Sequence, residues 1–366
     1  MKRAMRVIAL LGVAALVASA CGSNDNSSSG GTPSGTKSGP TVKVALLYDL
    51  GGRGDKSFND SAAAGLDKAR GDFNLSAKEL QPNSGGTNRA ELLDLVATTG
   101  YQLVIGVGFL YAPTVGAAAA KYPNVKFGDV DGFIDHTTCD TCKDESPSGN
   151  LSSLLFAENE GAYLVGAAAA MKSKSHHIGF IGGVSGTGLI EKFQAGFDAG
   201  AKSVDSSITI DHKYITAAPN FNGFNDPSDG QVIATGMYQA GADVVYHAAG
   251  GSGAGLFKAA EEYSTQNSTH VWAEGTDSDQ YLSAPPDQQP YILTSNLKRV
   301  DVAVYDTIRD FVQGKFTGGI KTFDLKAGGV GYATSGGFVD DIKSQLDAIA
   351  EKIKSGEIKV PTTPSA

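Results

Sequence analysis

The sequence has few of the features that would point to nucleic acid, membranes or nucleoside triphosphates as partners. Its 30 Lys and Arg residues are outnumbered by 39 Asp and Glu residues, which gives a net charge of −9. An acidic chain of this kind is not expected to bind the backbone of a nucleic acid or an anionic bilayer. The glycine-rich stretch 182–188 also lacks the Lys-Ser/Thr ending of a nucleoside-triphosphate loop. Small neutral or cationic partners are therefore favoured.

Sequence signatures of catalysis are missing as well. The chain contains no nucleophile elbow and no cluster of metal-ligating residues at a recognised spacing. A second glycine-rich turn, residues 250–255, departs from the G-x-G-x-x-G spacing of dinucleotide-binding folds. The sequence thus predicts a protein that is not an enzyme and that needs no cofactor.

The N-terminus carries an apolar run, residues 7–18, behind three basic residues. The run is too short to span a membrane and has the form of a secretory signal. Residues 18–20 and Cys21 resemble a lipobox, so we expect a lipoprotein signal peptide at 1–20 and a lipid on Cys21. Cleavage without lipidation is the alternative. Residues 21–40, rich in Gly and Ser, would form a flexible tether with a reach of roughly 25 Å, holding the protein on the extracytoplasmic side of the cell membrane.

Cysteine is scarce, with three residues in the whole chain. Apart from Cys21, these are Cys139 and Cys142, which lie in a polar segment. In an oxidising compartment such a pair most simply forms a local disulfide. A metal site with His136 as a further ligand and a redox-active pair are the alternatives, although redox pairs usually open a helix.

Residues 42–60 set the pattern for the rest of the chain. An apolar run at 42–47 stops at a glycine loop, after which Ser57 and Asp60 have the spacing of a capping box that opens a helix at 58–70. Such apolar runs are typical of strands buried on both faces of a parallel sheet. A helix at 91–98 follows next. Further strands, most of them followed by helices, are predicted at 103–106, 125–130, 151–156, 177–181, 208–215, 243–247, 270–273 and 291–294.

The folded part is too long for a single hydrophobic core. About 320 residues follow the tether, which predicts two α/β domains, or lobes. We assign residues 41–155 and 280–315 to an N-terminal lobe, and residues 156–279 and 316–360 to a C-terminal lobe. Because ligands of open α/β sheets bind beyond the carboxyl ends of the strands, residues 49–59 lie where a binding site would be built.

Seven short motifs occur in order along the two series of strands and helices. They are DKSFN (55–59), GVGF (106–109), FAENEG (156–161), FIGG (180–183), FNDP (224–227), HAAGGSGAG (247–255) and DSDQ (277–280). With them, residues 42–332 resemble the basic membrane protein family of bacterial lipoproteins, the purine-nucleoside receptors of ABC transporters. The resemblance implies a type I periplasmic-binding-protein fold, in which two doubly wound parallel-sheet lobes hold a ligand in the cleft between them.

The same resemblance implies how a purine base would be held. Phe58 and Phe224 are expected to stack on the base, since each stacking ring is worth about 1 to 3 kcal/mol. Asp131 and Asn59 are expected to hydrogen-bond its edge, because a carboxylate accepts from a ring N–H and an amide both donates and accepts. The alternatives are a core-facing position for Phe58 and a loop-capping role for Asp131.

The sugar is expected to contact a separate set of residues. By resemblance, Asp277 would accept from the two vicinal ribose hydroxyls, and Lys298 would donate to the ribose. A loop-capping role is the alternative for Asp277, but its place at a strand end favours ligand binding. The remaining members of the predicted ligand site are Asp49, Lys56, Ser57, Phe109, Gly250 and Gly251.

These features together predict a lipid-anchored receptor that captures a purine nucleoside (inosine, guanosine or adenosine) and delivers it to the permease subunits of an ABC transporter. Closure of the two lobes over the ligand would report occupancy. A sugar receptor of the same fold remains an alternative. An extracytoplasmic nucleosidase is less favoured, because no convergent acid and base pair stands out beyond the ligand carboxylates.

Overall fold

The structure is a computed structural model, and it describes residues 40–134 and 149–365. Several predictions therefore lie outside the described residues: the signal peptide, the tether from Cys21, and the pairing of Cys139 with Cys142. Within the described ranges, no helix is long and apolar enough to cross a membrane.

Strands and helices alternate along the described chain. The strands are β1 Val42–Leu47, β2 Leu75–Leu80, β3 Leu103–Val107, β4 Lys126–Val130, β5 Leu151–Phe156, β6 His177–Ser185, β7 Thr209–Ala217, β8 Val244–Ala248, β9 Trp272–Asp277, β10 Ile292–Lys298, β11 Gly319–Phe323 and β12 Val330–Tyr332. The helices are α1 Phe58–Asp72, α2 Arg89–Thr98, α3 Ala112–Lys121, α4 Glu158–Lys172, α5 Leu189–Val204, α6 Pro227–Gln239, α7 Gly253–Asn267, α8 Gln280–Ser283, α9 Val300–Val312 and α10 Lys343–Lys354.

The described strands form two six-stranded sheets. The first has the order β11-β5-β4-β3-β1-β2 and the second has the order β12-β10-β9-β8-β6-β7. Pairing is parallel throughout the first sheet. In the second sheet the pairing is parallel except between β10 and β12. Both sheets have the strand order of doubly wound α/β folds, so the predicted fold class is confirmed.

Both faces of each sheet are covered, as the apolar strand runs predicted. In β1, Val44 and Leu46 pack into one core with α1 and α9, whereas Ala45 and Leu47 pack into another core with α2 and α3. All four side chains are fully buried. The alternation follows from the two-residue period of a strand, which turns successive side chains to opposite faces. The ends of these buried strands, rather than their faces, are therefore left to carry a site.

The edge strand β2 was not predicted. β2, with the sequence LSAKEL, lies at the edge of the first sheet and pairs with β1 alone. Most of its residues are half-buried, because one of its sides has no neighbouring strand. Its mixture of polar and apolar residues is typical of an edge strand and gave no long apolar run to detect.

Two strands lie in the opposite sheet from the one that the predicted lobes assign. β10, expected in the first lobe, pairs with β9 of the second sheet, and β11, expected in the second lobe, pairs with β5 of the first sheet. Helix α9 packs as predicted, against the core of the first sheet, and β12 lies as predicted in the second sheet, paired with β10. An apolar run shows that a strand is buried, but it does not show which sheet buries it. The exact lobe boundaries stay a prediction.

Helices α4 and α5 pack with their backbones in close contact. A Cβ atom added to Gly166 would lie 2.1 Å from the carbonyl oxygen of Phe197, and one added to Gly200 would lie 2.0 Å from that of Tyr163. At Gly196 the corresponding oxygen belongs to Asn159, at 2.2 Å. Glycine at these positions lets α4, which follows directly on the first sheet, pack beneath the second sheet.

We expect the Gly200→Ala variant to be less stable than the wild type by about 1 to 3 kcal/mol, because its methyl group forces the two helices apart. Unfolding in urea would measure the loss. Gly236→Ala is the matched control, since Gly236 lies in a helix with nothing within 4 Å of an added Cβ. That control is expected to gain about 0.5 to 1 kcal/mol from helix propensity. Equal stabilities for the two variants would contradict the close contact.

Candidate functional site

A cavity of about 610 Å³, a volume that includes solvent at its mouth, lies between the carboxyl ends of the two sheets. Most of the predicted site residues line it: Asp49, Phe58, Asn59, Phe109, Asp131, Phe224, Gly250, Gly251, Asp277 and Lys298. Lys56 and Ser57 do not. The lining residues that sequence reasoning missed are Leu50, Asp55, Gly108, Leu189, Ile190, Phe193, Ala248 and Thr276.

The start of α1 is organised by Asp55 rather than by Ser57. The Asp55 carboxylate accepts hydrogen bonds from the backbone N–H groups of Ser57, Asn59 and Asp60, at 3.0, 2.8 and 3.1 Å. The predicted capping box is therefore wrong, and Asp60 instead accepts from the N–H groups of Gly54 and Lys56. A carboxylate is a stronger acceptor than a hydroxyl, so Asp55 satisfies the helix start and leaves the Ser57 hydroxyl for another partner.

That partner lies on the other sheet. The Ser57 hydroxyl donates to Asp277 Oδ2 at 2.6 Å, and the Ser57 carbonyl accepts from the hydroxyl of Ser278 at 3.0 Å. Next to it, the Lys56 carbonyl accepts from Gln280 Nε2 at 3.0 Å. Lys56 and Ser57 thus join the two sides of the cleft by hydrogen bonds, which accounts for their place outside the cavity lining.

Asn59 lines the cavity with an amide that is already engaged. Its Oδ1 accepts from the Asp49 N–H at 2.9 Å, and its Nδ2 donates to Asp55 Oδ2 at 3.0 Å and to the Leu50 carbonyl at 3.4 Å. These bonds use both amide donors. In this arrangement Asn59 fixes the loop that carries Asp49 and Asp55, and one acceptor lone pair is left for a ligand.

Asp131 directly follows β4, and Asp277 is the last residue of β9. Both have a left-handed backbone, with φ of +65° and +68°, a conformation that Asp tolerates better than most residues. Such conformations cluster at binding sites because they turn a side chain at a strand end. Burial raises the pKa of Asp131 to about 7 and that of Asp277 to about 6, and the Lys298 ammonium opposes both shifts.

Lys298 is the one basic residue among the described cavity residues, and it is 1% exposed. Its Nζ lies 2.6 Å from Asp131 Oδ2 and 3.2 Å from Glu158 Oε1. The Phe58 ring centroid is 5.1 Å from the same Nζ. Burial alone would lower the pKa of Lys298, but the carboxylates of Asp131, Glu158 and Asp277 raise it, so the amine stays charged.

The position of Lys298 differs from the prediction, which placed it on the same lobe as Asp131. It ends β10 of the second sheet and reaches Asp131 at the end of β4 of the first sheet. Its ammonium is shared between two carboxylates, which leaves it at most one donor for a sugar hydroxyl. Asp131 retains more capacity, since its Oδ1 is buried and has no partner, the one such carboxylate oxygen among the described cavity residues.

Aromatic side chains approach the cavity from both sheets. Phe58 lines the cavity and also packs against the first core, so both of its proposed roles are compatible. The Phe224 ring lies edge-on to Phe109, with centroids 6.4 Å apart. An added Cβ at Gly183 would lie 2.5 Å from that ring, so only glycine on β6 lets Phe224 lie so close to the strand. Flat apolar surfaces thus face the cavity from opposite sides of the cleft.

The glycine-rich turn at residues 250–255, on the second sheet, lies close to the loop between β1 and α1 of the first sheet. Gly250 has a φ of +55°, and a Cβ added to Gly251 would lie 3.6 Å from the Cβ of Asp55. Gly250 and Gly251 therefore present backbone rather than side chains to the cavity.

The charges of the cavity disfavour an anionic ligand. Four carboxylates line it, those of Asp49, Asp55, Asp131 and Asp277, against the single ammonium of Lys298. Arg89 neutralises Asp49 from outside the lining, at 2.8 Å. A phosphate group would meet several acceptors and almost no free donor. A neutral ligand with hydroxyl and N–H donors fits this lining better.

Comparison with known proteins agrees with this architecture. The family model described as "ABC transporter substrate-binding protein PnrA-like" matches residues 41–364. The chain is 35% identical to the "ABC transporter nucleoside-binding protein BmpA" of Lactococcus lactis, with 99% of each chain covered. It is 33% identical to an uncharacterized lipoprotein of Pyrococcus horikoshii, covering 100% of this chain and 93% of that protein.

A solved structure is similar over most of the chain. It is an ABC transporter solute-binding protein from Aeropyrum pernix K1, with a TM-score of 0.73, 28% identity, and coverage of 87% of this chain and 94% of that one. The predicted resemblance and fold are confirmed, and so is the prediction that the protein is not an enzyme, because proteins of this kind are binding components of transporters. The chain belongs to the PnrA-like family of ABC transporter substrate-binding proteins.

Proposed function

We propose that the protein binds a purine nucleoside in the cavity and delivers it to an ABC permease, held at the outer side of the cell membrane by a lipid on Cys21. The name of the Lactococcus lactis relative supports a nucleoside, and that of the Pyrococcus horikoshii relative supports lipidation. The observation that carries the proposal is the unpartnered Oδ1 of Asp131, in a cavity that Phe58 and Asp277 also line.

The proposed orientation assigns the base to Asp131 and the ribose to Asp277. Phe58 and Phe224 supply flat surfaces for a purine, and Asp131 Oδ1 accepts from an N–H on the edge of the base. Asp277 retains acceptor capacity beyond its bond from Ser57, enough for the two vicinal hydroxyls of a ribose. The four carboxylates then favour a nucleoside over its phosphorylated forms.

Calorimetric titration tests this proposal. The protein, refolded to remove any ligand carried through purification, is titrated with inosine, guanosine, adenosine, cytidine, ribose and inosine monophosphate. We expect one-to-one binding of purine nucleosides and much weaker binding of the monophosphate, because the carboxylates repel it. Binding of ribose alone would assign the protein to sugar receptors instead. A failure of all six compounds to bind would overturn the choice of ligand.

A further inference from the structure

Glu158 is a buried charged residue that the proposed function leaves without a role. It begins α4 directly after β5, is 2% exposed, and does not line the cavity. Its Oε1 lies 3.2 Å from Lys298 Nζ, and its Oε2 lies 2.6 Å from Nζ of Lys192 on α5. Burying a carboxylate is costly unless cations compensate it, so a chain that needed only packing here would do better with an apolar residue.

The arrangement makes two carboxylates share one ammonium. Asp131 and Glu158 both bind Lys298, while Lys192 attracts Glu158 from the other side. The charged groups that act on Asp131 are Lys298 from β10, Glu158 from α4 and Asp277 from β9, and Asp131 in turn raises the pKa of Asp129 on β4. Burial raises the pKa of Asp131 to about 7, Lys298 lowers it, and Glu158 and Asp277 raise it.

We propose that Glu158 is a positioning residue that sets the preference of the site between 6-oxopurine and 6-aminopurine nucleosides, by sharing Lys298 with Asp131. This inference rests on the proposed function, in which Asp131 contacts the edge of the base. N1 of inosine or guanosine carries a hydrogen and donates, whereas N1 of adenosine accepts. An ionised Asp131 can only accept and selects the first class, and a protonated Asp131 can donate and admits the second.

These contacts determine whether removing each charge raises or lowers the pKa of Asp131. Without the Glu158 charge, the Lys298 ammonium pairs with Asp131 alone. The ionised form of Asp131 is then favoured, and its pKa falls. Without the Lys192 charge, the negative charge of Glu158 is less compensated, so the pKa of Asp131 rises. Glu158→Gln and Lys192→Gln are therefore expected to act in opposite directions, which a general loss of packing would not do.

The experiment measures the ratio of the adenosine and inosine dissociation constants between about pH 5 and pH 8, where the pKa of Asp131 lies. Both ligands carry the same ribose, so the direct effect of Asp277 titration on ribose binding cancels in the ratio. In the wild type we expect the ratio to rise about tenfold per pH unit above the midpoint, where the protonated Asp131 that adenosine needs becomes rare, and to level off below it. The midpoint should move to lower pH by about one unit in Glu158→Gln and to higher pH in Lys192→Gln.

Glu160→Gln is the matched control. Glu160 lies in the same helical turn, but its carboxylate accepts from the Leu325 N–H at 2.8 Å instead of binding Lys298. The midpoint of the Glu160→Gln variant should therefore equal that of the wild type. Melting curves check that each variant folds. If Glu158→Gln does not fold, Lys192→Gln decides alone, because the Lys192 side chain is 26% exposed whereas that of Glu158 is 2% exposed.

Two results would overturn the inference: a wild-type ratio that does not change with pH, or the same midpoint in the wild type and in the variants that fold. Failure of the wild type to bind either nucleoside at any pH is a different result. It would overturn the proposed function itself, and this inference with it.

Discussion

The Lys298→Met variant is expected to lose about 3 to 5 kcal/mol of unfolding free energy at mildly alkaline pH, and to lose nucleoside binding as well. Lys298 is the cation that compensates Asp131 and also contacts Glu158, and all three side chains are almost completely buried. Methionine fills a similar volume but leaves the carboxylates without that charge. Removing one partner of a buried ion pair costs far more than the pair itself contributes.

The loss should depend on pH in a defined direction. Without Lys298, nothing opposes the effect of burial, so the pKa of Asp131 in the folded variant rises above its value near 7 and far above its unfolded value of about 3.9. The folded state then binds a proton that the unfolded state has released. The stability of the variant is therefore greatest at low pH, and it falls as the pH rises from the unfolded pKa of about 3.9 to the raised pKa of the folded state.

Urea unfolding at pH values below and above 7 measures both effects. Lys321→Met is the control, since Lys321 is part of a partly exposed ion pair, 3.8 Å from Asp310, and such pairs contribute about 0 to 1 kcal/mol. A Lys298→Met variant that unfolds like this control at every pH would contradict the picture of a buried ion cluster.

The sequence was sufficient to predict the two sheets, because apolar runs such as that of β1 have few alternatives to a strand buried on both faces. It was not sufficient to identify β2, whose polar residues lie at an exposed edge. The exchange of β10 and β11 between sheets was also beyond the sequence. The sheet that a strand joins depends on how the segments that connect the two sheets pack. Helix α4 is such a segment, and its packing depends on close contacts with α5 at Gly196 and Gly200.

The strand ends were the most predictable part of the site. Asp131 and Asp277 follow apolar strands, and the geometry of α/β sheets places such residues beside a cleft. Ser57 was assigned the wrong role, since a Ser before a helix is normally a cap, and only the fold shows that Asp277 lies within its reach. Asp55, two residues earlier, has an equally good capping side chain. Weighing Asp55 against Ser57 as the cap was the way to detect from the sequence that the Ser57 hydroxyl could have another partner.

The residues that were missed have ordinary local patterns. Glu158 has the sequence pattern of an acidic residue in the first turn of a helix, where it is favourable in any protein. Ile190 and Phe193 belong to the apolar side of the amphipathic helix α5, which a sequence assigns to the core. In the structure that side packs on the second core and also lines the cavity in its first turns. A single sequence does not separate these two uses of one apolar surface.

Asp277→Asn is expected to weaken inosine binding at pH 7.5 by about a hundredfold, or about 3 kcal/mol, because it converts two charge-assisted hydrogen bonds to ribose hydroxyls into neutral ones. Asn is the replacement of choice, since it tolerates the left-handed backbone of Asp277 and its carbonyl can still accept from Ser57. Below pH 6 the difference between the proteins should shrink, because the pKa of Asp277 is about 6 and the wild type loses the same charge there.

Deoxygenated ligands identify the contact behind that loss. If Asp277 binds the ribose, 2′-deoxyinosine and 3′-deoxyinosine bind the wild type less tightly than inosine does, and these differences become much smaller in Asp277→Asn. Asp279→Asn is the control: Asp279 follows the same strand, accepts from the Ser335 hydroxyl and does not line the cavity, so it should bind all three ligands like the wild type. An unchanged inosine affinity in Asp277→Asn would refute the ribose contact. If Asp277→Asn instead weakens the binding of inosine and of both deoxy analogues by the same factor, Asp277 acts by joining the two sides of the cleft through Ser57.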